Sequence, residues 1–182
     1  KVEIIGETLN GNPSGVFTQV EFNGIGNAGT IKLTTKTLTV SNGGKVQAAT
    51  FGKGDGGNLF IKADDINVFD DPGVNPFQLT NINVGVAFDP RFNKNDAGNP
   101  VLAIGKGGNL NIEARRLILK NGVAITSDTK SGQGGNMDLK ISDYLLIRQG
   151  SYISASAGTA QQGGDGGNIK ISSPLIIALP EN

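Results

Sequence analysis

Two consecutive passages of this sequence repeat one another 27 residues apart, and that repetition restricts the possible folds more than any other feature. The first opens at Gly107-Gly108-Asn109 and runs through Ser127; the second opens at Gly134-Gly135-Asn136 and runs through Ala155. Each begins with an alternating apolar run, Leu110, Ile112 and Ala114 in one, Met137, Leu139 and Ile141 in the other. A second apolar pair follows, Leu117 and Leu119 or Leu145 and Ile147, then a glycine, Gly122 or Gly150. Ile125 or Ile153 comes next, and a small residue, Ser127 or Ala155, stands two positions further on. A period of two marks half-buried strands, and a unit holding three such stretches with no helical period predicts a repeat architecture.

Other copies surround this pair. A degenerate one starts at Asn27-Ala28-Gly29-Thr30 and continues in register through Ile31, Leu33, Leu38, Val40, Gly43, Val46 and Ala48. Another starts at Gly56-Gly57-Asn58, with Leu59, Ile61, Ala63, Ile66 and Val68, but Asp71 then takes the expected glycine position and Pro72-Gly73 turns the chain away. Residues 70 to 103 are read as an insertion, within which Leu79 to Val86 alternates and is expected to form a strand or hairpin supplying the third side of that copy. The last copy opens at Gly166-Gly167-Asn168 with Ile169, Ile171, Leu175 and Ile177, and residues 1 to 25 read as an incomplete first coil or cap.

Three short strands joined by Gly- and Asn-rich corners can pair with their equivalents one repeat later, which gives parallel sheets along a coil axis. The expected fold is therefore all-β: a right-handed parallel β-helix of about six coils, each ~4.8 Å thick, with one long insertion. In that fold Gly57, Asn58, Gly108, Asn109, Gly135, Asn136, Gly167 and Asn168 occupy equivalent corners. Glycine there tolerates left-handed backbone and Asn bonds locally to it, so these are expected to be structural turn residues, with the amides forming a partial ladder.

Composition narrows the function. The 28 glycines follow no Gly-X-Y period, which excludes collagen. Sixteen basic residues balance sixteen acidic ones, so nucleic acid is not an expected partner. With no histidine and no cysteine, Ser-His-Asp chemistry, His-metal sites and thiolate sites are impossible within the chain. No apolar run reaches the ~18 residues of a membrane helix, and no membrane insertion of this segment is expected. The start at Lys1 reads as that of an excised or processed piece of a longer protein.

The order of these motifs resembles filamentous-haemagglutinin-like exoproteins of the two-partner secretion type, in particular the long cyanobacterial ones. The resemblance is carried by Ser14-Gly15-Val16-Phe17-Thr18-Gln19-Val20 leading to Gly26-Asn27-Ala28-Gly29, and by the repeated Gly-Gly-Asn-x-x-Ile units with Gly-x-x-Ile-x-Ala/Ser. It implies a right-handed parallel β-helix, secreted or exposed at the cell surface, in an adhesin or surface filament. The family shares no catalytic residues that could be carried over. The insertion departs from the pattern, and no amino-terminal secretion domain is present in these residues.

Several positions are candidates for chemistry. Gly-Asp-Gly-Gly-Asn at 54 to 58 and at 164 to 168 is similar to calcium-binding nonapeptide units, but those need tandem nine-residue repeats, so Asp55 and Asp165 read as turn residues. Asp64, Asp65, Asp70 and Asp71 form a denser acidic group whose spacing fits no calcium loop and reads as a solvated face. Outward carboxylates could serve a polysaccharide lyase or glycoside hydrolase built on the same fold. The candidates are Glu113 and Asp138 with Lys140 and Asn111, and with Arg115 and Arg116 at a corner; ordinary cross-strand pairing explains them equally. Phe77, Phe88 and Phe92 in the insertion are candidate partner-binding residues, or else its own small core.

The sequence thus predicts a non-enzymatic structural or adhesive segment of an extracellular or outer-membrane-associated protein, without cofactor or metal. Thr34, Thr35, Thr37, Thr39, Thr126, Ser154 and Ser156 favour the flat polar surface of a scaffold over a catalytic cleft. Its expected partners are another copy stacked end to end, or a glycan or protein on a host or neighbouring cell surface. A carbohydrate-active enzyme is the alternative.

Overall fold

The structure, a computed structural model, describes residues 1–73, 80–86, 103–158 and 163–180. Among these residues there are thirteen strands and no helix, and every pair of strands is parallel. The larger sheet holds β1 (Val2–Ile5), β3 (Thr30–Thr34), β4 (Thr37–Ser41), β6 (Asn58–Phe69), β8 (Leu110–Lys120), β10 (Met137–Arg148), β12 (Ile169–Ser172) and β13 (Leu175–Leu179). The smaller sheet holds β2 (Gly15–Phe17), β5 (Lys45–Gln47), β7 (Asn81–Asn83), β9 (Ala124–Thr126) and β11 (Tyr152–Ser154).

Pairing joins each repeat to the next. Thr30 stands beside Asn58, Leu59 beside Leu110, Leu110 beside Met137, and Met137 beside Ile169. The small sheet advances in step, with Val46 beside Ile82, Ile82 beside Ile125 and Ile125 beside Ile153. Inward side chains therefore stack in columns: Ile31, Leu59, Leu110, Met137 in one, and Leu38, Ile66, Leu117, Leu145 in another, all buried. Burying each such side chain contributes about 1.5–3 kcal/mol, so the core is a stack of small layers none of which is complete alone.

The first two apolar stretches of a repeat merge into one strand of 11 or 12 residues in β6, β8 and β10. The inward parity switches within each strand, from Ala63 to Ile66, from Ala114 to Leu117 and from Ile141 to Leu145. Consecutive outward residues at the switch, Asp64 and Asp65 or Arg115 and Arg116, let the strand bend without losing its partners on either side. β10 carries one more residue there, which is the register shift between Ile141 and Tyr144.

Within residues 70 to 103 a strand does supply the third side of the repeat that opens at Gly56: Asn81–Asn83 lies inside the stack between β5 and β9, and Val86 bridges Thr50 on one side and Thr129 on the other. One expectation changes. In the last repeat, Leu145 pairs with Ile176 and Ile147 with Ala178, so Ile176 and Ala178 take the inward positions expected for Leu175 and Ile177. Residues 1 to 25 do form a layer, with β1 on β4 and β2 on β5, but none of them pairs with β3.

Candidate functional site

The corner residues singled out by their repetition are held together by backbone. The amides of Gly57, Gly108, Gly135 and Gly167 donate to the carbonyls of Ala48, Val84, Ser127 and Ala155 at 2.7, 2.7, 3.1 and 2.7 Å, linking the end of the small sheet to the start of the next strand of the large one. A Cβ added to Gly57, Gly108, Gly135 or Gly167 would stand 2.0, 1.8, 1.9 or 1.8 Å from the glycine carbonyl oxygen of the layer before. No side chain fits there, so the layers can close to sheet spacing only with glycine. The neighbouring asparagines act between layers: Asn109 Nδ2 donates to Asn58 Oδ1 at 3.1 Å, and the Asn168 amide donates to Asn136 Oδ1 at 3.1 Å.

A second glycine column accompanies the first, beyond what the sequence reading anticipates. Gly26, Gly54, Gly105, Gly132 and Gly164 all have positive φ, and Gly54, Gly105, Gly132 and Gly164 stack on the carbonyl of the layer before in the same way. The signal is present, for each stands three residues before the second glycine, or Gly29, of its corner. The opposite corner uses paired left-handed residues, Asn42-Gly43, Asn121-Gly122 and Gln149-Gly150.

The outward face of the large sheet carries the charged candidates. As the spacing predicts, Asn111 lies beside Asp138 and Glu113 beside Lys140. Glu113 is 3.2 Å from Lys62 Nζ, whereas Asp138 has Lys140 Nζ only at 3.7 Å from Oδ2 and its buried Oδ1 has no hydrogen-bond partner among the described residues. Phe60 projects from the same face, 41% exposed, with Lys32 Nζ 5.9 Å from its ring centre. At the bend, Arg116 Nε donates to Asp65 Oδ1 at 2.5 Å and Arg115 lies 3.5 Å from the same oxygen. The hydrogen bond from Arg116, and then the charges of Arg116, Arg115 and Lys36, hold the Asp65 carboxyl below the usual carboxylate range against its own desolvation; the same bond raises the Arg116 guanidinium.

The acidic group around Asp70 is dispersed rather than convergent. Asp65 faces Arg116, and Asp71 exchanges bonds with Asn42 at 2.7 and 2.8 Å. Asp70 is buried, accepting from the Thr80 hydroxyl at 2.5 Å and from the Thr80 and Gly43 amides at 3.0 and 3.3 Å. Asp55 is a link between layers: Lys106 donates its amide to Oδ1 at 2.8 Å, and the Asp55 amide donates to Asn27. Among the described residues no three acidic groups gather as a metal site would require. Phe77, Phe88 and Phe92 lie outside the described residues.

No family model, no curated protein and no solved structure matches the chain.

Proposed function

We propose that the chain is a segment of a right-handed parallel β-helix that serves as a structural and adhesive part of a secreted or cell-surface protein, in the manner of filamentous-haemagglutinin-like exoproteins. The observation that carries this reading is the continuous parallel pairing from β4 through β6, β8 and β10, with glycine corners that admit no side chain. Such a stack gives a long rigid body whose outer faces are free for contact. The pairing of Glu113 with Lys62 supports a scaffold role for that face over the acid and base of a lyase or hydrolase.

The test is adhesion without turnover. Beads coated with the purified chain should retain bacterial or host cells well above albumin-coated beads and leave added polysaccharide intact. Retention no better than albumin would overturn the adhesive reading. Release of reducing or unsaturated ends from pectin or β-glucan would replace it with the carbohydrate-active one.

A further inference from the structure

On the small-sheet side, the first layer and the second enclose a cleft of about 560 Å³, a volume suited to a ligand of a few rings. Phe17, Phe22 and Phe51 contribute aromatic surface to it, and Asn10, Asn12 and Gln19 contribute side-chain amides. Its one carboxylate and one ammonium, Glu21 and Lys45, balance, and the Glu21 Oε1 already accepts from Gln19 Nε2 at 2.6 Å. Three aromatic rings with several amides and no net charge suit a neutral molecule that has both an apolar face and a rim of hydroxyls.

The lining is preorganised. Phe17 faces outward from β2, and its Cζ and Cε2 lie 2.2 and 2.6 Å from where a Gly15 Cβ would stand, so the ring rests on Gly15 while staying 37% exposed. The backbone of the turn that carries Asn10 and Asn12 is also held: Thr8 and Asn12 exchange bonds at 2.9 and 3.1 Å, Gly11 donates to the Thr8 carbonyl at 2.8 Å, and Glu7 bridges Pro13. Groups fixed before a ligand arrives lose little freedom on binding.

We propose that this cleft is a saccharide-binding site for a neutral β-linked pyranose chain. Equatorial hydroxyls leave an axial C–H face for the phenylalanines, and each amide can donate to one hydroxyl and accept from the next. The proposal rests on the adhesive reading and names its ligand class.

Isothermal titration of the full chain with cellotetraose and with triacetylchitotriose tests it. At least one sugar should bind saturably at a single site. Phe17→Ala, Phe51→Ala and the exposed Gln19→Ala should each weaken that binding about tenfold or more, while Phe17→Trp retains it. Phe60→Ala, on the other sheet, should leave it unchanged. Far-UV circular dichroism checks each variant, and Gln19→Ala and Phe17→Trp remain decisive if an alanine variant at a phenylalanine unfolds. Absence of heat with both sugars, or wild-type affinity in Gln19→Ala and Phe17→Ala, would overturn the site. Silent titrations beside intact cell retention by coated beads would remove the cleft assignment and leave the adhesive reading standing.

Discussion

The Thr80 hydroxyl donates to Asp70 Oδ1 at 2.5 Å between two buried side chains ten residues apart in the chain. Thr80 also donates its amide to Asp70 Oδ2, and the Gly43 amide of the preceding layer is shared between Asp70 Oδ1 and the Thr80 oxygen. The carboxylate thereby fixes where the chain leaves the large sheet and where it rejoins the small one. Asp70→Ala should lower the unfolding free energy by about 2–3 kcal/mol, because buried donors lose their acceptor. Thr80→Val should cost about 1–3 kcal/mol, and the double variant less than the sum by about 1 kcal/mol or more. Urea unfolding measures all three, and strict additivity would contradict the pairing.

Glycine substitutions should separate crowding from backbone strain. Gly108→Ala places a Cβ 1.8 Å from the Gly57 carbonyl oxygen, so the layers must part; the expected cost is about 3 kcal/mol or more, or failure to fold. Gly73 has φ +91° but open space within 4 Å of where an alanine methyl would stand, so Gly73→Ala should cost only about 1 kcal/mol of left-handed strain. Thermal melts of the two variants give the comparison.

The Asp65 and Arg116 pair sets a small pH dependence. Its folded carboxyl pKa lies below the unfolded value of about 4, so the stabilisation is present above that pH and is lost as pH falls through the lowered value. With 24% and 35% of the two side chains exposed, solvent screening keeps the effect small. Asp65→Asn should show a flatter fall of melting temperature with acid than the parent, and a melting profile identical to the parent's from neutral pH to pH ~2 would contradict it.

Much of this architecture is legible in the residues because inward columns and corner glycines both recur at the repeat spacing. Leu110 over Leu59 and Met137 over Leu110 follow from alternation alone. Leu175 to Leu179 defeats the same logic, since both of its alternating sets are apolar and only pairing with β10 decides that Ile176 and Ala178 face inward. Asp70 reads in the sequence as one of four clustered acids; its buried bonds come from Thr80, ten residues on, and from Gly43, 27 residues before, which no local pattern encodes. Phe17 reads with Val16 as a single apolar stretch, yet period two puts the neighbours on opposite faces, and only Val16 joins the column of Val46 and Ile82. The amide link from Asn109 to Asn58 follows from the shared corner.

The central claim is that successive repeats stack in parallel register, and it is tested most directly by crosslinking. The chain has no cysteine, so engineered pairs are unambiguous. Asn67 and Ile118 are register partners on adjacent strands, whereas Thr39 pairs with Asn67 and so lies two strands from Ile118, roughly 10 Å away. The Asn67→Cys/Ile118→Cys variant should close rapidly with a short bis-methanethiosulfonate, each thiolate displacing a sulfinate to form a disulfide, and Thr39→Cys/Ile118→Cys should not. Closure of the second pair in preference to the first would contradict the stacking.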